Sequence, residues 1–438
     1  MVWYASRSAH GHIIKDSSVQ TFLSNCELPK TGESVSIPSR MCVPLRSPGV
    51  NPILHIITVD GGFNEIVVKT EFPSATVCFF QFGALIFDVV DLDSLTIQPF
   101  IDPDDVQKLK RIQRIKLTLP TRNVTLKGEK TLINSVRKTL YQFFMAEVDD
   151  GKLIETLKWI VFEDFDARLD SWTLASCPTC AEPKVGLHRK EISAEFTFVC
   201  PSCKSSIYLT DVFRLHEAID NELGAGGVLS YVVTTIEQIL LAHLIRTVLL
   251  TKPALMEHIL FIKDGPLAFF GQTANMHKPF RALANFLFTH HNCFLAGLEK
   301  SGAFVEHAHE IANLLEPNTA LVLNDEYIYR YIIPGVADSS SPYGKTTYYG
   351  NKVILKSDAG HIHVVTLPTR NVLSDPTEKN IPNIHTILAN IAKLKCDMYD
   401  DSLVPVALVN KLVSLANHPS SRILQKFAKQ MVPGGSVS

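Results

Sequence analysis

The sequence predicts an α/β protein in which helices flank a mixed β-sheet. Two stretches carry this prediction, because each is an apolar, β-compatible run that leads into an aspartate and a glycine: I-L-H-I-I-T-V-D-G-G at 53–62 and I-L-F-I-K-D-G-P-L at 259–267. Runs of this kind are typical of strands buried inside a sheet. Elsewhere apolar residues recur at the helical period, which predicts helices that cover the sheet.

Composition excludes several classes of protein. The chain has 438 residues, of which 46% are hydrophobic and 20% charged, as in folded proteins of more than one domain. Its formal net charge of −2 gives no overall indication of nucleic-acid binding. The N-terminus lacks the pattern of a signal peptide, and the longest apolar run, 239–250, is too short to span a bilayer. We therefore predict a soluble, cytoplasmic protein without a membrane partner.

The first third of the chain predicts a hairpin and a basic surface. Strand 53–62, a glycine turn at Gly61-Gly62 and strand 75–90 form the predicted hairpin. Residues 92–125 are rich in lysine and arginine, and we predict a helical surface there that is either solvated or in contact with phosphate. The other predicted helices are 18–24, 131–144, 152–159, 228–250, 281–290, 306–315, 383–394 and 403–416, and the other predicted strands are 292–302, 327–333, 348–356 and 361–367.

Four of the nine cysteines form two close pairs, Cys177-Pro-Thr-Cys180 and Cys200-Pro-Ser-Cys203. Two C-P-x-C knuckles at this spacing are typical of a zinc ribbon, in which four thiolates hold a structural Zn²⁺ that supplies folding free energy. We predict a β-hairpin over 181–199 between them. His188 and Lys190 in this segment contact either nucleic acid or a partner protein. The other cysteines stand singly, which fits a reducing compartment.

Three carboxylates form the candidate catalytic site. Asp60 and Asp264 follow the two apolar runs, and Glu237 lies on the helix that leads into the second run. Each has an ordinary alternative, since Asp favours turns and a helix Glu often pairs with Lys or Arg. Carboxylates are suitable ligands for Mg²⁺ or Mn²⁺, and two such ions suit phosphodiester cleavage. Lys300 and Ser301, at the end of strand 292–302, suit either phosphate contacts or a plain turn.

The order of five short motifs resembles the NurA nuclease family. The motifs are V-D-G-G (59–62), I-E-Q-I-L-L (236–241), F-I-K-D-G-P-L (261–267), G-L-E-K-S-G (297–302) and H-I-H-V-V-T-L-P (361–368). The resemblance implies a ribonuclease-H-like mixed sheet flanked by helices, with an inserted zinc-ribbon module. The implied organisation is an N-terminal extension (1–50), a nuclease core in two parts (51–165 and 223–430), an inserted zinc ribbon (166–222) and a flexible tail (431–438).

The same resemblance implies a Mn²⁺- or Mg²⁺-dependent DNA nuclease with 5′-to-3′ exonuclease and single-strand endonuclease activity. It assigns Asp60, Glu237 and Asp264 as metal ligands, and it matches Lys300 and Ser301 to the family's strand-end K-S. The implied partners are DNA, a hexameric HerA-type ATPase that translocates DNA and a second copy of the chain. The implied role is DNA end processing or anti-phage defence.

The C-terminal segment departs from the family pattern. Where the family has Tyr-Pro…Ala-His, residues 403–412 keep Pro405 and Leu408 but have neither the Tyr nor the His, and Asn410 is the nearby polar candidate. This departure favours an alternative function, a non-catalytic adaptor that binds DNA or the motor through a degenerate ribonuclease-H-like core. An RNA-directed enzyme is a weaker alternative, because nothing in the sequence specifies recognition of a 2′-hydroxyl.

Overall fold

The structure, a computed structural model, describes residues 7–27, 34–47, 49–90, 110–111, 114–148, 151–394, 396, 402–415 and 420–431. Its α-helices are α1 Arg7–Lys15, α2 Ser17–Ser24, α3 Leu132–Met145, α4 Leu153–Val161, α5 Leu229–Thr251, α6 His277–His290, α7 Ala303–Glu310, α8 Asp325–Tyr331, α9 Ile384–Lys393, α10 Val404–Val413 and α11 Ser420–Met431. Its strands are β1 Cys42–Pro44, β2 His55–Lys69, β3 Ala75–Asp88, β4 Lys110–Arg111, β5 Ile115–Arg122, β6 Glu147–Val148, β7 Gly151–Lys152, β8 Ser171–Ser176, β9 Pro183–His188, β10 Thr197–Val199, β11 Ser206–Tyr208, β12 Ile259–Asp264, β13 Phe294–Glu299, β14 Thr319–Val322, β15 Gly350–Lys356 and β16 Ile362–Pro368.

Ten of the described strands form one mixed sheet. Its order is β1-β14-β15-β16-β13-β12-β2-β3-β4, and β5 also pairs with β3. Strand β12 is parallel to both β2 and β13. The other neighbouring strands are antiparallel. The predicted mixed sheet flanked by helices is therefore confirmed.

Helices cover both faces of this sheet because the strands bury both of their faces. Val59 and Phe261 belong to the apolar core that α3, α4, α5 and α6 share on one face. Ile56 and Ile262, an odd number of positions away on the same two strands, belong to the core under α9 and α10 on the opposite face. Helices α7 and α8 pack on the sheet at its β14–β16 end. The alternation of side chains along a strand explains why such strands read as continuous apolar runs.

Helix α5 is the central helix of the larger core. Its residues from Val232 to Ala242 are nearly all buried, so the helix contacts the core on most of its sides. The segment Gly226–Thr251 is long and apolar enough to cross a membrane, but 72% of its most apolar window is buried inside the protein. Burial of this extent is typical of a core helix.

Two predictions of secondary structure are wrong. Residues 115–122, predicted as part of a helical surface, form β5, which pairs with β3 and buries Ile115, Leu117 and Leu119 at a period of two. Residues 92–109 and 112–113 of that predicted surface lie outside the described residues. Of segment 327–333, predicted as a strand, residues 327–331 belong to helix α8, at whose start Asn324 acts as the cap by accepting a hydrogen bond from Tyr327 N at 2.9 Å.

The cysteine-rich region also differs from the prediction. Strand β9 pairs with β8 and strand β10 pairs with β11, so residues 181–199 do not form a hairpin with each other. Each strand instead pairs with one outside the segment. Leu174, Leu187, Phe198 and Ile207 from these strands join the core around α5. The region is therefore packed on the rest of the protein.

Several elements were not predicted, namely the helices α1 and α11 and the short strands β1, β6, β7, β8, β11 and β14. Strand β1 lies inside the predicted N-terminal extension and pairs with β14 at the edge of the sheet. Helix α2 confirms the short helix predicted there. Residues 432–438 of the predicted tail lie outside the described part of the chain. The domain limits proposed from the sequence stay predictions.

Candidate functional site

The two predicted aspartates lie at the same edge of the sheet. The last pair that β2 makes with β12 is Val59 with Lys263, so Asp60 is the first residue of β2 beyond that pairing. Asp264 ends β12, and Lys300 directly follows β13. The three parallel strands thus bring these side chains to their carboxyl edge, which is where open α/β sheets bind ligands.

Asp60 is buried with an unsatisfied oxygen. It is 3% exposed, and its Oδ1 accepts a hydrogen bond from Gly61 N at 2.7 Å. Its Oδ2 is buried and has no hydrogen-bond partner among the described residues. Burial, together with the nearby carboxylates of Asp264 and Glu237, raises the pKa of Asp60 to about 8, and Lys300 opposes this shift. A buried acceptor of this kind needs a proton or a cation.

Glu237 reaches this edge from helix α5. Its Oε1 accepts a hydrogen bond from the same Gly61 N, at 3.0 Å, so that one amide joins the carboxylates of Asp60 and Glu237. Its Oε2 lies 2.9 Å from Lys263 Nζ, and both side chains are buried. Burial raises the pKa of Glu237, and the neighbouring Lys263 opposes that shift. The lysine partner foreseen as an alternative is present, but within the site and not on a helix surface.

Two lysines balance the three carboxylates. Lys263 Nζ also donates to the carbonyl oxygen of Asp264, and Lys300 Nζ lies 2.7 Å from Asp264 Oδ2. Three carboxylates and two ammonium groups have a formal charge of −1 when all are ionised. The lysines hold Glu237 and Asp264 in place, and Asp60 has no such cation within contact distance among the described residues. Asp60 is therefore the carboxylate of this cluster whose negative charge has the least compensation from a neighbouring cation.

Gly61 and Gly62 do not form the predicted turn, and the structure requires glycine at these positions for a different reason. Strand β2 continues through both glycines to Lys69, and the chain reverses beyond that strand. A Cβ at position 61 would lie 2.6 Å from the Phe82 ring, and one at position 62 would lie 2.8 Å from the carbonyl oxygen of Val413. The glycines are needed because other groups approach this part of the strand closely. Gly265, by contrast, is a true turn residue with a φ of 91°.

The four predicted zinc ligands come together. Cys177 Sγ lies 3.8 Å from Cys203 Sγ, and Cys180 Sγ lies 3.8 Å from Cys200 Sγ. All four sulfur atoms lie within 4.8 Å of one another. Tetrahedral bonds of about 2.3 Å to one zinc ion would separate the sulfurs by about 3.8 Å, so the arrangement fits a Cys₄ site. Among the described residues, no other group of three or more metal-ligating side chains, including the three carboxylates, converges this closely.

The four thiols differ in how readily they ionise. Hydrogen bonds from the side chain and backbone of Ser205 lower the pKa of Cys203 to about 6, which favours the thiolate form that zinc requires. Burial raises the pKa of Cys177. A backbone hydrogen bond from Glu182 lowers the pKa of Cys180, but hydrogen bonding with the other thiols, above all that of Cys203, and desolvation together raise it to about 12. The buried pair, Cys177 and Cys200, anchors the site in the core, whereas Cys180 and Cys203 are exposed. Four thiolates leave no open coordination position, as in a structural metal site.

Comparisons with known proteins give only distant structural similarity. No protein-family model matches the sequence, and no curated protein matches it. The chain is similar to the crystal structure of the NurA nuclease from Sulfolobus solfataricus, with 8% identity, 98% of each chain covered and a TM-score of 0.33. At this identity and TM-score, the similarity says nothing about the chemistry of the site.

Two other predicted candidates lie at the surface. Ser301 is exposed in the turn before α7. Asn410 is exposed on α10, and its carbonyl oxygen accepts a hydrogen bond from Ser414 N at 2.9 Å. Helix α10 instead approaches the sheet near the site through its backbone, since Thr58 donates to the carbonyl oxygen of Pro405 at 3.3 Å.

Sequence reasoning missed Lys263 and Gly61 as parts of the site. Lys263 interrupts the apolar run I-L-F-I-K-D, and a lysine inside a buried strand requires a buried acid as partner. That rule would have linked Lys263 to a carboxylate such as Glu237. No local signal identifies Gly61, because its contacts with Phe82 and Glu237 depend on the packing of three separate elements.

Proposed function

We propose that this protein is a divalent-metal-dependent nuclease that hydrolyses the phosphodiester bonds of DNA. The observation that carries this proposal is the unpartnered Oδ2 of Asp60, which is buried beside the carboxylates of Glu237 and Asp264. A cluster of oxygen donors at the carboxyl edge of parallel strands suits Mg²⁺ or Mn²⁺. When bound, such an ion activates water and stabilises the departing oxygen of a phosphodiester.

Each charged residue has a distinct part in this proposal. Asp60, Glu237 and Asp264 would hold the metal. Lys263 is a positioning residue, because its buried ammonium group fixes Glu237 Oε2 at 2.9 Å. Lys300 is 26% exposed, so its ammonium group is accessible to a phosphate while it stays next to Asp264. A lysine at that place would bind a non-bridging phosphate oxygen and offset its negative charge.

The test compares Mn²⁺-dependent degradation of labelled DNA by the wild type with that by Asp60→Asn and Asp264→Asn. We expect each variant to lose about a hundredfold or more in rate, because each change removes charge that stabilises the transition state. Asp358→Asn, which changes an exposed aspartate outside the site, is the matched control and should keep full activity. Wild-type rates in both site variants, with folding confirmed by circular dichroism, would contradict the proposal.

Finer features of this function also belong to the proposal. Strand order β5-β3-β2-β12-β13, an antiparallel meander followed by two parallel strands, supports the ribonuclease-H-like interpretation.

We further propose 5′-to-3′ exonuclease and single-strand endonuclease activity, a homodimer, and a HerA-type hexameric ATPase as the partner that feeds DNA to the site. The sequence motifs in their family order support these features. Co-purification with such an ATPase, and sedimentation of the isolated chain, test the two partnerships.

A non-catalytic adaptor is the second candidate function. Two observations favour it: the three carboxylates do not converge as closely as the cysteines do, and Lys263 and Lys300 already neutralise two of them. An adaptor would bind DNA or the motor but would leave DNA intact in Mn²⁺, both alone and with the motor and ATP. DNA cleavage by the wild type that EDTA abolishes would rule the adaptor out.

A further inference from the structure

A basic groove lies where the cysteine-rich region meets helix α4. It has a volume of about 480 Å³ and is open to solvent. The groove is lined by Lys158 of α4, by Asp170 before β8, and by His188, Arg189 and Lys190 at the end of β9. None of these residues takes part in the carboxylate cluster or in the Cys₄ group. The groove is therefore a separate feature of the surface.

The side chains that line the groove carry a net positive charge. Lys158, Arg189 and Lys190 contribute three positive charges and Asp170 one negative charge, for a net charge of +2 before any protonation of His188. Two carboxylates outside the lining, Asp164 paired with Arg189 at 2.7 Å and the exposed Glu191 that follows Lys190, bring the local sum to zero, so the positive charge that is free to meet an anion is that of the two lysines. The chain as a whole carries −2. Lys158 and Lys190 have no carboxylate partner among the ion pairs of the described residues, so both are available to an anion.

The scaffold holds these side chains in place. Strand β9 buries Val185 and Leu187 in the core and exposes the residues between them. Arg189 N donates to the carbonyl oxygen of Asp170 at 2.8 Å, which ties together the backbone of two lining residues. A Cβ at Gly186 would lie 3.1 Å from His188 Nε2, so the imidazole lies over the strand beside this glycine. A groove whose backbone is already fixed loses little conformational entropy when a ligand binds.

We propose that this groove binds the phosphate backbone of a nucleic acid strand, as a second contact surface apart from the carboxylate site. A linear polyanion suits an open groove with cationic side chains from two elements, because successive phosphates can contact Lys158 of α4 and Lys190 of the turn after β9. The exposed imidazole of His188 offers a flat surface to a neighbouring sugar or base. The inference rests on the proposed function in taking nucleic acid as the ligand, but its test needs no cleavage.

The test measures binding of fluorescein-labelled DNA by fluorescence anisotropy, in EDTA and at several salt concentrations, with the full chain. Lys158→Gln combined with Lys190→Gln should weaken binding by about three- to tenfold and should make the slope of log K against log salt less steep by about 2. Lys252→Gln combined with Lys379→Gln, which changes two exposed lysines elsewhere, is the matched control and should leave both quantities unchanged.

A second variant keeps the test decisive if loss of the half-buried Lys158 lowers stability. His188→Gln combined with Lys190→Gln changes exposed side chains, so it should fold normally and still weaken binding and reduce the salt slope. Affinity and salt slope equal to the wild type in both groove variants would overturn the proposal. Because binding in EDTA requires no catalysis, that result would leave the nuclease proposal standing. Conversely, active carboxylate variants would refute the nuclease while leaving the groove intact.

Discussion

At the scale of single residues, the candidate site depends on two groups that each contact two neighbours, the backbone amide of Gly61 and the ammonium group of Lys263. Gly61 N donates to both Asp60 and Glu237, and Lys263 contacts both Glu237 and the carbonyl oxygen of Asp264. These contacts hold two buried acids close together in spite of their repulsion. Removal of either link would leave a buried carboxylate without compensation, which is among the costliest single changes in a protein.

Replacement of Gly61 by alanine tests this close packing. The added Cβ would lie 2.6 Å from the Phe82 ring and 3.3 Å from Glu237 Oε1, so the ring, the strand or the carboxylate must move. We expect the free energy of unfolding, measured by urea denaturation, to fall by about 1–3 kcal/mol. DNA cleavage should fall as well, because Glu237 is displaced. Gly226→Ala is the control, since nothing lies within 4 Å of a Cβ there; equal effects at the two positions would contradict the prediction.

At the scale of elements, the cysteine-rich strands are short and depend on one another through the Cys₄ group. Strands β10 and β11 have three residues each, and β8 and β9 have six each. Two-stranded sheets of this size are marginal without support. Their support comes from the core around α5 and from the thiolate cluster, in which Cys177 and Cys200 are buried.

Removal of the metal should therefore unfold this region first. We expect about one zinc ion per chain by mass spectrometry of the native protein. Cys177→Ser combined with Cys200→Ser should abolish zinc binding, lower the thermal midpoint and raise hydrogen exchange in β8 to β11, whereas Cys26→Ser, at an exposed single cysteine, should do none of these. Native exchange rates in the double variant would contradict a structural metal. Because β9 forms one wall of the basic groove, the same variant should also bind DNA more weakly.

At the scale of the whole molecule, the site exists only when distant parts of the chain are folded together. Asp60 comes from the hairpin β2–β3, Asp264 from β12, and Glu237 from the helix between them in sequence; Gly61 and Glu237 are 176 residues apart. The unfolded chain has no such cluster, so a cation that binds it stabilises the folded state alone. Metal binding and global stability are thus thermodynamically linked.

This linkage predicts how stability depends on pH. The pKa of Asp60 is about 8 in the folded protein and near 3.8 in the unfolded chain, so the folded state binds more protons in that interval. The contribution of Asp60 to the free energy of unfolding therefore falls as pH rises toward about 8. A bound cation replaces the proton, so stabilisation by Mn²⁺ should grow over the same interval, to about 2.7 kcal/mol at a hundred times the dissociation constant.

The measurement is the thermal midpoint of the wild type and of Asp60→Asn, in EDTA and in Mn²⁺, from about pH 6 to about pH 9. The variant lacks the titrating group, so the difference between the two proteins isolates Asp60 from other ionisations. In EDTA, the wild type should lose stability relative to the variant as pH rises. A difference that is constant with pH, or that changes in the opposite direction, would show that Asp60 does not titrate in this way.

Much of the site was predictable from the sequence because its signals are local. The two apolar runs that lead into Asp-Gly predicted Asp60 and Asp264 at strand ends, which the fold places at one edge of the sheet, and their role as metal ligands stays a prediction. The spacing of two C-P-x-C pairs predicted the four cysteines as one group, and the fold does bring them together. Glu237 was predicted from its place on a helix that leads into β12. By contrast, the period-two burial of Ile115, Leu117 and Leu119 was overlooked because Lys116 lies among them in a segment rich in basic residues.

The sequence by itself determined which segments are buried and which cysteines form pairs, because apolar runs and cysteine spacing are properties of residues that are close along the chain. Only the tertiary structure decided that β2 runs straight through Gly61-Gly62, that β9 pairs with β8, and that Lys263 meets Glu237. Each of these depends on contacts between segments far apart along the chain. A buried charge finds its partner, and a glycine its close neighbour, only when the packing of the whole sheet and its helices brings them together.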